Sequence, residues 1–469
     1  MNRVLLAWGI GATFGCAAVA ATLNSKPTAP KFVPLKASAT KVSATNVSAT
    51  KASATKTVGE TASVTFNKDI APIVFENCAS CHHAGEVAPF PLVSYRDVQK
   101  RARQIALVTQ SRFMPPWKAD EGREKFHDAR RLSDAQVQTI AKWAETGAPE
   151  GKAADLPPTP RFSSDWHLGQ PDATFEPEIE YSLGAEGDDV YRCFVVPTNY
   201  AADRWVSAVE VRPGNRAIVH HVIVYVDTSG EARRKDAADP GPGYTSSGSI
   251  EFKAAGSLGG WAPGNLPRLL PEGVGMLLPK GADLVLQVHY HRSGKPETDR
   301  TKIGLYFAKE TVQKKVRILP LLSWKLDIPA GEKNYETHAN FPVPAAVTVL
   351  SVMPHMHLLG HDMTVTATLP DGQKKKLVNV PDWDFNWQTT YSLQEPMKLP
   401  RGSTVELTAH YDNSADNPRN PSNPSNPPRR TTWGEKTTDE MNLAFIDYTI
   451  DAEDLTKTSA KAAGASTSH

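Results

Sequence analysis

The sequence predicts a multidomain chain in which a small all-α domain precedes two all-β domains, each an antiparallel, jelly-roll-like sandwich. Three observations predict it. Between residues 63 and 152 the apolar residues recur at helical spacing, and after residue 153 they alternate in short runs. A Pro-rich stretch, "APEGKAADLPPTPRF" (148–162), separates these two textures. The chain is 469 residues long, which at roughly 150 residues per domain leaves room for about three domains.

The elements follow in order. Arg3 precedes an apolar run from Val4 to Leu23, and Ala18-Val19-Ala20 fits a small-x-small cleavage site, so residues 1–20 read as a secretory signal. The chain is therefore expected in the periplasm or another extracytoplasmic space. The run is also long enough to span a bilayer, which makes an uncleaved membrane tether the alternative. Cys16 is a poor lipoprotein signal because Thr13 and Phe14 do not suit one. Residues 21–62 hold a five-residue repeat, "KASATKVSATNVSATKASATK" (36–56), whose side chains are too small to build a core; it reads as a flexible tether. Within 63–152, "SYRDVQKRARQIALVTQSR" (94–112) is expected as one helix. "LSDAQVQTIAKWAETG" (132–147) is a second, with Ser133 and Gln136 as a capping box, an apolar stripe of Val137, Ile140, Ala141 and Ala144, and Gly147 at the C-cap. Two sandwiches are expected over 153–312 and 313–453, carried by runs such as "RWVSAVEVR", "AIVHHVIVYVD", "ADLVLQVHYH" and "STVELTAHYD". The Asn-Pro-rich segment 413–430 is expected as a long loop, and 454–469 as a disordered tail. A net charge of +1 leaves no basic excess for phosphates, so no nucleic-acid partner is expected.

Four cysteines are present, and Cys16 would leave with the signal. The remaining Cys78, Cys81 and Cys193 cannot form a disulfide framework. "CASCHH" instead contains Cys78-x-x-Cys81-His82, the attachment signature for c-type haem: two thiols for thioether links and an imidazole for the iron. A thioredoxin-like pair would need a βαβ setting, and half a zinc site would need a second ligand pair in the same segment; neither is present. Met114, in "SRFMPPWK", suits the distal axial position because thioether sulfur is soft enough for haem iron, with His83 and His127 as weaker alternatives. Together these features resemble a class I cytochrome c domain. The resemblance implies one covalent haem c, with His/Met ligation raising its potential.

The strand-rich half carries three histidine groups: His220 and His221 in "AIVHHVIVYVD", His289 and His291 in "LVLQVHYHRSG", and His355 and His357 in "SVMPHMHLLGHDM". Residues i and i+2 of a strand share a face, so His355 and His357 would project into one space as metal ligands do. There is no Glu at catalytic zinc spacing, and Glu297 lies one position too far past His291 for a cupin. Over about residues 165–450 the chain resembles the copper type II, ascorbate-dependent monooxygenase family of peptidylglycine α-hydroxylating and dopamine β-monooxygenases. The match runs through His220-His221, "WAPG", "LPEGVGMLLPKGADLVLQVHY", "HMHLLG" and "TTDEMNLAF". The resemblance implies two coppers. His220, His221 and His289 would hold the first, which supplies an electron; His355, His357 and Met441 would hold the second, where O₂ is bound and a C–H bond hydroxylated. Imidazole suits copper in both oxidation states, and a thioether favours Cu(I). Adjacent strand residues face opposite ways, so the backbone must bulge for His220 and His221 to share one metal. His291 is either a supporting group or an alternative ligand.

The chain departs from the family at its substrate positions. Met353 stands where peptide-hydroxylating members have a carboxylate-binding arginine, Phe445 replaces a tyrosine and Leu443 an asparagine. A more apolar small molecule is therefore the expected substrate. The family's disulfides are missing, and Cys193 is expected as a buried free thiol. The expected partners are O₂, that substrate and an electron donor, either an ascorbate-like reductant or a respiratory carrier feeding the fused haem. The alternative is an electron-transfer or copper-binding cytochrome fusion without oxygenase activity.

Overall fold

The computed structural model describes residues 63–457 apart from 87, 121, 123–124, 163–165 and 423–426. The expected signal and tether, and residues 458–469 of the expected tail, lie outside the described residues. The first residues of that tail are tied down rather than loose: Leu455 N–H bonds the Gln313 carbonyl at 2.9 Å. Among the described residues no helix is long and apolar enough to cross a membrane.

The helical region opens with a π-helical turn, Phe66–Ile70, that runs into Ala71–Asn77, and ends with Asp134–Glu145, whose expected capping box is formed: Ser133 Oγ accepts from Gln136 N–H at 3.2 Å and Gln136 Oε1 from Ser133 N–H at 2.8 Å. The single helix expected over 94–112 is two, Tyr95–Gln99 and Ala102–Gln110. The break falls at Arg101, which leaves helical geometry (φ −118°, ψ 11°) and lays its guanidinium 4.0 Å from the centre of the Phe90 ring. Phe66, Ile70, Val98, Ile105, Ile140 and Trp143 form this region's core. Residues 115–131 then leave it as a strap. Trp117, Ala119 and Phe126 belong to the core of the second sandwich, and Phe126 pairs with Leu393 as an isolated antiparallel bridge. The strap thus pins the helical region to the second sandwich.

In the first sandwich, one five-stranded sheet runs in spatial order Tyr244–Ser246, Val190–Pro197, Asp283–Tyr290, Val219–Asp227 and Gly256–Trp261. It packs on a second sheet containing Arg204–Arg212 and Lys302–Phe307, with Val206, Leu284, Leu286, Val288 and Ile303 between them. The central strand Asp283–Tyr290 is buried along its whole length, so its second face is covered too. The second sandwich sets Arg317–Leu322, Leu443–Ile450, Val347–His355 and Tyr391–Leu399 against Tyr335–Pro342, Thr404–Tyr411, Gly360–Thr368 and Lys374–Val380. Among its described residues the 413–430 segment holds no strand. Asn413, Asn417 and Asn420 turn inward, Asn413 Nδ2 bonding the carbonyls of Pro329 (3.0 Å) and Arg429 (2.7 Å). Cys193 is fully buried and free, as expected.

Candidate metal centres

His221 and His289 face each other in register on neighbouring strands, and Tyr191 lies on the other side of His289, ring stacked on ring at 4.2 Å. The register slips between Val219 and His221, so the required bulge is present and frees His220 to turn to the same side. One ring nitrogen from each of His220, His221 and His289 falls within 4.8 Å of the others, a group able to hold a metal ion. His220 Nδ1 and His221 Nδ1 stand 3.3 Å apart. His289 is 1% exposed; its Nε2 is hydrogen-bonded to Asp189 Oδ2 at 2.8 Å, while its Nδ1 is buried without a partner. An orphaned imidazole nitrogen aimed at two others is what a metal would satisfy, so these residues fit copper. Burial holds His220 down to about 4 and His221 well below its ordinary value, which keeps both neutral as ligation requires. Asp189 Oδ1 also meets His291 Nδ1 at 3.0 Å, and His291 is 68% exposed on its side chain. The structure thus sets His291 beside Asp189 on the surface. Burial pushes the Asp189 carboxyl up, but the two histidines outweigh it and hold it well below the carboxylate range.

The strand Val347–His355 ends at the first histidine of the second group, so His357 sits just past it rather than in the ladder. The cause is Glu440, which takes the His357 N–H at 2.8 Å and the Leu359 N–H at 2.6 Å, where a strand partner would otherwise bond. The two rings still converge, 5.2 Å apart and perpendicular. His355 Nδ1 meets Gln388 Oε1 at 2.9 Å, and His357 Nδ1 meets the Asp439 carbonyl at 3.1 Å. Each ring therefore donates from Nδ1 and has Nε2 left for a metal. Burial holds His355 down to about 3 and His357 to about 4. Met441 follows Glu440, and its main chain is held at both ends: its N–H bonds Glu440 Oε2 at 3.2 Å and its carbonyl accepts from Tyr411 Oη at 2.7 Å. Burial pushes Glu440 up to about 8 against the pull of these amides. Gly360 is required by close approach, since a Cβ there would lie 2.7 Å from Trp383 Cδ1 and 2.8 Å from Met356 Cβ.

The two groups adjoin. Phe385 stacks on His220 (5.1 Å between ring centres, 19°) and stands edge-on to His357 (5.9 Å, 85°). It belongs to the loop 383–390, which also bonds the His357 carbonyl through Trp383 Nε1 at 3.0 Å and aims His355 through Gln388.

In the helical region, His82 follows Cys78 by one helical turn (His82 N–H to the Cys78 carbonyl, 3.0 Å), and its Nδ1 meets the Phe90 carbonyl at 3.0 Å. That bond fixes the ring and leaves Nε2 for an iron, so the Cys-Cys-His set fits a covalent haem. Burial, then the neighbouring Cys81, push the Cys78 thiol up to about 12. His83 is stacked on Phe162 at 3.8 Å with Nδ1 at the Ala79 carbonyl (2.9 Å), and His127 N–H bonds the Ser392 carbonyl (2.9 Å) on the second sandwich. Met114 is half-buried where the last turn after Ala102–Gln110 passes into the strap, its N–H on the Val108 carbonyl at 3.0 Å.

The two sandwiches present converging, neutral imidazoles, donor sets that fit copper. Residues 333–465 match the family model described as "Copper type II ascorbate-dependent monooxygenase, C-terminal domain". That segment carries His355, His357 and Met441, and the protein is a copper-dependent monooxygenase. No curated protein matches the chain. Among solved structures it is similar to the major capsid protein P2 of bacteriophage PM2 (9% identity, 59% of this chain and 97% of that one, TM-score 0.25). It is also similar to the infectious bursal disease virus Gx strain structure (9% identity, 60% of this chain and 72% of that one, TM-score 0.18). At these TM-scores the likenesses carry no argument about this chain.

Sequence reasoning missed Asp189, Phe385, Gln388 and Glu440. Only Glu440 carried a signal, its place immediately before Met441. The others come from loops far along the chain and have no spacing to the residues they serve.

Proposed function

We propose that this is an exported monooxygenase with two copper centres, one at His220, His221 and His289 and the other at His355, His357 and Met441. It would hydroxylate a C–H bond of a small apolar molecule. Its electrons would come from an ascorbate-like or respiratory donor through a haem c attached at Cys78 and Cys81 and held by His82 and Met114. The observation that carries the reading is the meeting of the two histidine groups at Phe385, inside a chain whose 333–465 segment matches the copper family.

Bound copper supplies O₂ activation and one-electron chemistry, and bound haem a relay potential raised by His/Met ligation. The chain's own residues do the rest. Gln388 and the Asp439 carbonyl hold the protons of His355 and His357 on Nδ1, so both Nε2 lone pairs stay available. Asp189 does the converse for His289, taking the proton at Nε2 and exposing Nδ1. Phe385, touching both groups, puts an apolar ring between them, which keeps water from that side of a reactive centre. Met353, in register with Phe445, leaves this wall without the charge that would select a carboxylate.

The test is to express the chain with periplasmic haem maturation and measure copper per haem in the wild type and Met441→Ala, then O₂ uptake with apolar substrates. Two coppers per haem, one loosened by the substitution in the reduced protein, and substrate-dependent uptake are expected. Haem without stoichiometric copper after full reconstitution would overturn the reading; copper without substrate-dependent uptake across a broad screen would favour an electron carrier.

A further inference from the structure

The two histidine groups belong to different sandwiches, and one side chain crosses between those sandwiches at the loop that aims His355. Asn265, in the loop after Gly256–Trp261, donates from Nδ2 to the Gln388 carbonyl at 3.1 Å and accepts at Oδ1 from the Thr390 N–H at 3.2 Å. A single amide thus serves Gln388–Thr390 as a neighbouring strand would, satisfying one acceptor and one donor two residues apart. Gln388 is itself fixed at both ends of its amide: Nε2 donates to the Phe385 carbonyl at 3.2 Å, which leaves Oε1 to accept from His355 Nδ1 at 2.9 Å.

The loop bearing Asn265 is also anchored. Its N–H bonds the Ala262 carbonyl at 3.0 Å, and the carbonyl of Gly264 accepts from Arg130 Nη1 at 2.9 Å. Arg130 is 8% exposed and lies at the end of the strap from the helical region; two residues earlier Asp128 pairs with Arg268 at 2.7 Å. A continuous run of hydrogen bonds therefore passes from the strap (Arg130), through the first sandwich (Gly264, Asn265), to the second (Gln388, His355).

We propose that Asn265 is a positioning residue for the second metal centre, setting the orientation of His355 and the gap between the two centres across the sandwich interface. The second centre is then complete only when the first sandwich is docked against it. The inference rests on the reading of the two histidine groups as copper sites. It makes Gln388 and Asn265 one unit, although 123 positions separate them in the chain.

The full chain is loaded with copper, and three quantities are read in wild type, Asn265→Ala and Asn265→Asp: copper affinity at each centre by chelator competition, the Cu(II) EPR parameters, and the Cu–Cu distance by pulsed dipolar EPR. Asn265→Ala should weaken the second centre by about 10-fold or more, within the range for loss of a supporting hydrogen bond. It should also broaden the Cu–Cu distance distribution and leave the first centre's affinity and EPR signature unchanged. Asn265→Asp keeps the acceptor for Thr390 and should fall between; it also carries the test if the alanine variant does not fold. An unchanged second centre and distance in both variants overturns the proposal, as does an equal loss at both centres, which general loosening would produce. A wild-type chain that takes up no copper instead refutes the metal-centre reading beneath it.

Discussion

Replacing Asp189 with alanine isolates the support behind the first histidine group. Its carboxylate holds His289 Nε2 at 2.8 Å and His291 Nδ1 at 3.0 Å. The side chain is 30% exposed and that of His289 1%, so the variant leaves a buried Nε2–H without an acceptor. An unmet buried donor costs about 1–3 kcal/mol. The same bond decides which nitrogen of His289 carries its proton, and losing such a bond lowers metal affinity about 10- to 100-fold, or roughly 1.4–2.7 kcal/mol. The expected result is a loss of that size at the first copper centre in a chelator competition, with the second centre unchanged, and a lower midpoint for unfolding of the apo-protein. Asp189→Asn, which keeps an acceptor oxygen, should recover part of it. His291→Ala is the control: that ring is exposed, so its loss should shift stability by less than about 0.5 kcal/mol and copper affinity hardly at all. Unaltered copper binding in Asp189→Ala, or loss of the first copper in His291→Ala, would refute the assignment of His289 as ligand and His291 as bystander.

Phe126→Ala should cost about 3–5 kcal/mol, the range for a buried Phe, because the ring is 6% exposed and packs on Trp117 and Tyr391 at 6.2 and 5.3 Å. Hydrogen exchange should show the loss in the strand Tyr391–Leu399 rather than in the helices, and unchanged protection there would contradict the strap's place in that core. The Asp239 carboxyl is held at about 2, first by the Arg192 guanidinium (2.8 and 3.0 Å) and then by the Gly241 N–H, against 3.8 ordinarily. A depressed acid stabilises the fold above its ordinary value and loses that contribution as pH falls toward about 2, here on the order of 1–2 kcal/mol. Denaturation midpoints followed down that limb should fall less steeply in Arg192→Met than in wild type, and parallel curves would count against the pair.

Much of the architecture is legible in residue order, because local chemistry sets it. Ser133 and Gln136 cap their helix from three positions apart, and the alternating runs become strands within a few residues of where they were read. The spacing of His355 and His357 suggests that the two rings meet, and they do, although Glu440 draws His357 out of the ladder. The need for a bulge at His220 also follows from strand periodicity, and the register slip supplies it. The break at Arg101 was not legible, since helical periodicity continues through it while the guanidinium is drawn to Phe90.

What only the tertiary structure decided is how these pieces meet. The strap fills the second sandwich's core, where Phe126 packs on Tyr391 and pairs with Leu393. The proton position on each of His289, His355 and His357 is set by Asp189, Gln388 and the Asp439 carbonyl, and Asn265 aims one sandwich's histidine from the other. Periodicity carries information over one or two turns of chain. A hydrogen bond needs only that two groups arrive within about 3 Å, and which distant groups arrive is set by the packing of whole sheets.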